Sequence, residues 1–132
     1  MNIFFDVDYT IIDNRNGLRP GVRELFTRLV EAGHAIFLWS GIGPRWEVVE
    51  RFGFEKLVSG CFEKPLSSHE QMLELMGIKP RPDFVVDDHP HLVGTFGGCV
   101  VAQYLLANEL DREMERVWNE VTRAIASLDP KK

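Results

Sequence analysis

Along the chain, short apolar runs take turns with longer segments in which apolar positions recur every three or four residues. The first run, residues 2–10 (Asn-Ile-Phe-Phe-Asp-Val-Asp-Tyr-Thr), is almost wholly apolar until it reaches Asp6 and Asp8. A short run rich in Phe and Ile predicts a strand buried on both faces, as in a parallel sheet. Similar runs stand at residues 34–39, 54–59 and 84–86, with a fifth near 99–104. His34 reads as a strand-edge residue, Glu55 and Lys56 stand at the start of the third run, and residues 60–65 read as a loop. Asp is disfavoured inside strands, so Asp6 and Asp8 are expected where their strand leaves the sheet.

Between these runs the period becomes helical. Pro20 suits a first helical position, Val22, Leu25, Phe26, Leu29 and Val30 mark one face, and Gly33 fits the C-terminal cap. Pro44 opens a second helix that runs to about Arg51 and closes at Gly53. Ser67 with Glu70, or Ser68 with Gln71, predicts a capping box for a third, continuing through Met72, Leu73, Leu75 and Met76 to Gly77. A last helix over about 107–128 carries Leu110, Met114, Val117, Val121, Ala124 and Leu128 in a heptad-like stripe, with Trp118 and Ile125 alongside. Its default partner is the domain's own sheet; a homodimer seam is the second reading. Strands alternating with helices predict an α/β fold: a doubly wound, Rossmann-like, mostly parallel five-stranded sheet with helices on both faces. In such sheets ligands bind beyond the carboxyl ends of the strands.

Composition narrows the function classes. A chain of 132 residues fits a single domain over 1–132, with a core over about 2–105 before the last helix. A net charge of −5 gives no general attraction to nucleic acid or to acidic membrane surfaces. Two cysteines, Cys61 and Cys99, are too few for a disulfide framework and suit a reducing compartment. No basic segment precedes a long apolar run and no window approaches transmembrane length, so a cytoplasmic location is expected.

The candidate chemistry gathers at the strand exits. With a strand period of two, Asp6 and Asp8 point to the same side, and like charges so close are costly unless a cation or a shared proton compensates. Ser40-Gly41, Lys64 and Asp87-Asp88 follow later strands or the loops after them. In order, these groups resemble the four motifs of the haloacid dehalogenase-like superfamily of phosphohydrolases. The D-x-D-x-T motif stands as Asp6-Val7-Asp8-Tyr9-Thr10, and the Ser closing an apolar strand as Phe37-Leu38-Trp39-Ser40. The Lys stands as Lys64-Pro65, and the acidic pair as Phe84-Val85-Val86-Asp87-Asp88. The likeness covers about residues 2–105.

The resemblance implies a Mg²⁺-dependent phosphatase that hydrolyses a phosphomonoester, a small molecule or a phosphoprotein, through an aspartyl-phosphate. Asp6 would be the nucleophile and Asp8 the acid and base, its carbonyl also reaching Mg²⁺. Ser40, Gly41 and Lys64 would bind the phosphate, and Asp6, Asp87 and Asp88 would supply hard oxygen ligands to the metal. Asp88 is implied as the direct ligand and Asp87 as its outer partner. Thr10 reads as structural, holding the loop after Asp8. Tyr9 stands where the family often has Gly, and packing under the loop is preferred for its ring over a contact with substrate. The gaps after the first and second motifs are too short for the family's cap domain, which implies an open site.

Other residues are weighed and left as alternatives. His89 and His91 flank Pro90 beside the acidic pair; a transition-metal role is set against the commoner solvated loop histidine. Lys56 precedes its strand and should lie at the wrong end of the sheet. Arg45 and Trp46 could touch the substrate, or be a solvated Arg and a core Trp. Two further functions compete. A receiver-like phospho-acceptor domain uses similar groups but places its Lys last, whereas Lys64 precedes Asp87 and Asp88. A non-catalytic phosphate- or partner-binding module keeping this fold would usually lose the nucleophile or the acid, and both are present.

Overall fold

The computed structural model describes residues 1–128. In chain order the elements are β1 (Asn2–Asp6), α1 (Val22–Glu31), β2 (Ala35–Ser40), α2 (Trp46–Phe52), β3 (Val58–Glu63), α3 (His69–Leu75), β4 (Phe84–Asp87), α4 (Pro90–Phe96), β5 (Gly98–Val100) and α5 (Glu113–Ser127). The five strands form one sheet in the order β3-β2-β1-β4-β5, and every pairing is parallel. This is the doubly wound, Rossmann-like α/β fold. The strand order reverses between β1 and β4, so Asp6 and Asp87 end neighbouring strands at the switch point where such sheets bind ligands.

The continuous apolar character of the strands follows from burial on both faces. Ile3, Phe5, Ile36, Leu38, Phe84 and Val86 face one layer, packed with Leu25, Phe26 and Leu29 of α1, Val48 and Val49 of α2, and Met114, Val117 and Val121 of α5. Phe4, Phe37, Trp39 and Val85 face the other, packed with Leu73 of α3 and Leu92 and Val93 of α4. No cap domain occurs among the described residues. After β1 the chain turns tightly: Asp13 accepts backbone N–H bonds from Arg15 and Gly17 at 2.8 and 2.9 Å.

Several boundaries depart from the sequence expectation. Helix α1 begins at Val22, two residues after Pro20, and α2 begins at Trp46, two after Pro44; both prolines lie ahead of their helices. The third strand is Val58–Glu63, not 54–59. Phe54 is instead a core residue ahead of it, and Gly60, expected in a loop, lies in the strand opposite Phe37. The Phe37 ring stands 3.1 Å from where a Cβ of residue 60 would be, so tertiary packing overrides the poor strand propensity of Ser59-Gly60.

The expected capping box is absent: Ser68 sits in the left-handed region with no side-chain cap, and Glu70 pairs with Arg81. Helix α4 has no counterpart in the sequence expectation. It starts with Pro90 in its first turn, and it carries the chain to β5, which ends at Val100, short of the expected 104. Gly98, at φ 151°, runs so close to β4 that a Cβ there would stand 1.9 Å from the Val85 carbonyl oxygen. The last helix begins at Glu113, not near 107. Leu110 is therefore outside the apolar stripe and 84% exposed, while Met114, Val117 and Val121 pack on the domain itself. No helix among the described residues is long and apolar enough to cross a membrane.

Candidate active site

Asp6 closes β1 and is buried. Its Oδ2 accepts the Thr10 hydroxyl at 2.9 Å and its Oδ1 accepts Lys64 Nζ at 3.1 Å. Thr10 thus reaches beyond its own loop to fix this carboxylate. Asp87 closes β4 with no solvent exposure at all. Its Oδ2 accepts Lys64 Nζ at 3.0 Å and its Oδ1 accepts the His89 backbone N–H at 2.9 Å. Asp88, half-buried, accepts a bond from Gln103 Nε2 at 2.7 Å. Oxygens of Asp6, Asp87 and Asp88 all lie within 4.8 Å of one another.

Lys64 follows β3 directly, a placement made possible by the later start of that strand. Its backbone N–H bonds the Ser40 carbonyl at 2.8 Å, which stitches the ends of β2 and β3 together. The Ser40 hydroxyl is buried and accepts the Ile42 N–H at 3.3 Å. Gly41 lies beneath Leu66, a methyl of which stands 3.0 Å from where its Cβ would be. Ser40, Gly41 and Lys64 thus lie on adjoining strand ends.

One ammonium among three carboxylates leaves an excess of negative charge. Burial pushes the Asp87 carboxyl up to about 7, with Asp6 adding to the rise and Lys64 opposing it. Asp6 is raised in the same way, by burial first, against Lys64 and Thr10, with Asp88 pushing upward. Burial disfavours the charge on Lys64, but Asp6 and Asp87 outweigh it and its pKa is raised. The donor set is all oxygen, closely spaced and under-neutralised. Such a set fits a hard divalent cation of the Mg²⁺ kind better than a soft or nitrogen-seeking metal.

Asp8 departs from this group. Its Oδ2 accepts Arg45 Nη1 at 2.5 Å, and Arg45 Nε donates to Glu47 Oε2 at 2.6 Å. Of the two sequence readings for Arg45 and Trp46, substrate contact or a solvated Arg with a core Trp, the structure reverses the second. Arg45 is 8% exposed and bound to Asp8, while Trp46 is 51% exposed. Tyr9 is 38% exposed. Its backbone is left-handed at φ 63°, a conformation that suits Gly better than a residue with a side chain.

His89 precedes α4 and His91 lies in its first turn, both exposed. Among the described residues the three Asp are the one group of three or more possible metal donors, and neither His joins them. Buried His69, which the sequence did not single out, lies against His91 with ring centroids 5.9 Å apart. Lys56 sits in the exposed turn before β3, at the start of the strand and not its exit. A groove of about 400 Å³ between α1 and α5, lined by Glu24, Arg28, Asp111 and Trp118 among others, contains none of these groups. The chain matches no family model, no curated protein and no solved structure.

Proposed function

We propose that the protein is a capless, Mg²⁺-dependent phosphatase of the haloacid dehalogenase-like type, acting on a phosphomonoester through an aspartyl-phosphate. The observation that carries this reading is the Lys64 ammonium held between Asp6 and Asp87, with Asp88 completing a carboxylate cluster at the switch point of the sheet. Asp6, Asp87 and Asp88 would hold Mg²⁺, which supplies positive charge to phosphoryl oxygens that this acidic pocket would otherwise repel.

The residues divide the work as follows. An oxygen of Asp6 attacks phosphorus while the ester oxygen leaves, taking a proton from Asp8. Water then attacks the aspartyl-phosphate and gives its proton to Asp8, releasing inorganic phosphate and restoring the Asp6 carboxylate. Lys64, with three donors, steadies the charge that develops on the phosphoryl oxygens, and Ser40 and Gly41 line the phosphate's place. Buried, unpaired Cys61 and Cys99 suit a reducing cytoplasm, and burial pushes the Cys61 thiol up to about 11, away from reactivity.

Purified protein should hydrolyse p-nitrophenyl phosphate with Mg²⁺ and not after its removal by EDTA, and Asp6→Asn should be inactive. Full activity in that variant would remove Asp6 as the nucleophile.

A further inference from the structure

Asp8 and Arg45 come from the loops after two adjacent strands, 37 residues apart in sequence, and meet through a charge-assisted hydrogen bond. Three features separate this contact from an ordinary surface ion pair. First, the guanidinium is buried, whereas Asp8 keeps a side-chain exposure of 37%. Second, Arg45 is itself held: Glu47, in the first turn of α2, takes its Nε. Third, Arg45 engages only Oδ2 of Asp8, and among the described residues no donor binds Oδ1. The carboxylate is thus pinned by one oxygen and presents the other.

We infer that the chain Glu47–Arg45–Asp8 is a positioning device for proton transfer, with Arg45 fixing the rotamer from which Asp8 protonates the leaving group. This rests on the phosphatase reading above and adds two residues to it. Arg45 and Glu47 touch neither phosphorus nor the departing oxygen; they act through Asp8. The planar guanidinium fork makes the arrangement specific to Arg. A Lys would keep the charge but could not bridge the two carboxylates from the same two directions.

A proton donor matters in proportion to how poor the leaving group is. A p-nitrophenolate departs without help, whereas an alkoxide needs its proton as the bond breaks. The test compares kcat/KM for p-nitrophenyl phosphate and for a simple alkyl phosphate in wild-type protein, Arg45→Ala, Arg45→Lys and Glu47→Gln. Arg45→Ala should lose about tenfold to a hundredfold on the alkyl ester while staying within about threefold on the aryl ester. Arg45→Lys should recover little of that loss.

Equal losses on both esters would make Arg45 merely structural and overturn the inference, as would a gain on the alkyl ester. Should Arg45→Ala fail to fold, Glu47→Gln, altered at the half-exposed end of the chain, carries the test. It should show the same selectivity, about threefold to tenfold, and an unchanged ratio of the two esters would overturn the proposal. Failure of the phosphatase reading looks different, since wild-type protein would then show no Mg²⁺-dependent, Asp6-dependent turnover of either ester.

Discussion

Arg19, buried, and Lys64, partly buried, are both cations bound by carboxylates, and their surroundings differ in one respect that separates architecture from chemistry. Arg19 is 1% exposed and meets Asp111 through two parallel bonds of 2.8 and 2.9 Å. Its remaining contacts are the carbonyls of Thr10 and Ala102, with the Tyr104 ring 5.0 Å from the guanidinium carbon. One positive charge faces one negative charge, and neutral groups complete the shell. Lys64 faces Asp6 and Asp87 directly, with Asp88 alongside. A closed, balanced site needs nothing more, while an unbalanced one asks for a further cation. The two are also joined, because Arg19 holds the carbonyl of Thr10, whose hydroxyl holds Asp6.

The sharpest way to break this contrast is to alter the cluster itself. Asp6→Asn should lower kcat/KM for p-nitrophenyl phosphate by about 10³-fold or more. It should leave the Mg²⁺-free melting temperature unchanged or raise it, since it removes one of the crowded charges. Lys64→Met should cost about 10²- to 10³-fold in kcat and raise the Mg²⁺ concentration needed for half-maximal rate. Arg19→Met should behave oppositely. It should lose about 3 kcal/mol of stability in urea unfolding by stranding Asp111, with no change in the Mg²⁺ requirement of the folded protein.

A subtler difference appears in pH dependence. Asp6 and Asp87 are acids whose pKa is raised in the folded state. The folded protein therefore holds those protons more tightly than the unfolded chain, and ionising the acids costs stability. Without Mg²⁺, this contribution should decline as pH rises from the ordinary Asp range near 3.8 through about 7. Thermal denaturation should therefore show a larger Mg²⁺-induced gain at about pH 8 than at about pH 5. At the small end stands Arg81–Glu70, an ion pair half in solvent. Arg81→Ala should cost less than about 1 kcal/mol, a small reference against which Arg19 and Lys64 can be read.

Elements are legible in the sequence according to where each signal resides. Strands β1, β2 and β4 are legible because burial on both faces demands unbroken apolar runs, and acids at their ends stand out. Strand β3 is not, because Phe54 offers a false apolar start and Gly60 a false end; its place is set by pairing with β2 and by the Phe37 ring. Helix α4 is short and carries Gly94 in its interior, which weakens the helical pattern. Just before α5, Asp111 is held by Arg19 from 92 residues away in the sequence, a pairing that spacing does not reveal.

The same distinction runs through the site. Asp6, Ser40, Lys64, Asp87 and Asp88 each mark a strand exit and can be picked out one by one. The Thr10 hydroxyl on Asp6, Gln103 on Asp88 and the bond from Arg45 to Asp8 are pairings between side chains, and spacing along a chain carries no information about them. Arg45 and Trp46 show the limit clearly. Adjacent residues at the start of one helix take the opposite environments to a solvated Arg and a core Trp, with the guanidinium held between Asp8 and Glu47.

The most direct test of the cation-and-carboxylate account is to trap phosphate on the chain. Asp8→Asn should slow release of the aspartyl-phosphate while a p-nitrophenyl leaving group still departs without a proton. Rapid acid quench with Mg²⁺ and p-nitrophenyl phosphate, followed by peptide mass mapping, should therefore find a phosphoryl adduct on Asp6 that is absent when EDTA replaces Mg²⁺. An adduct on another residue, or undiminished turnover in Asp6→Asn, would contradict the account.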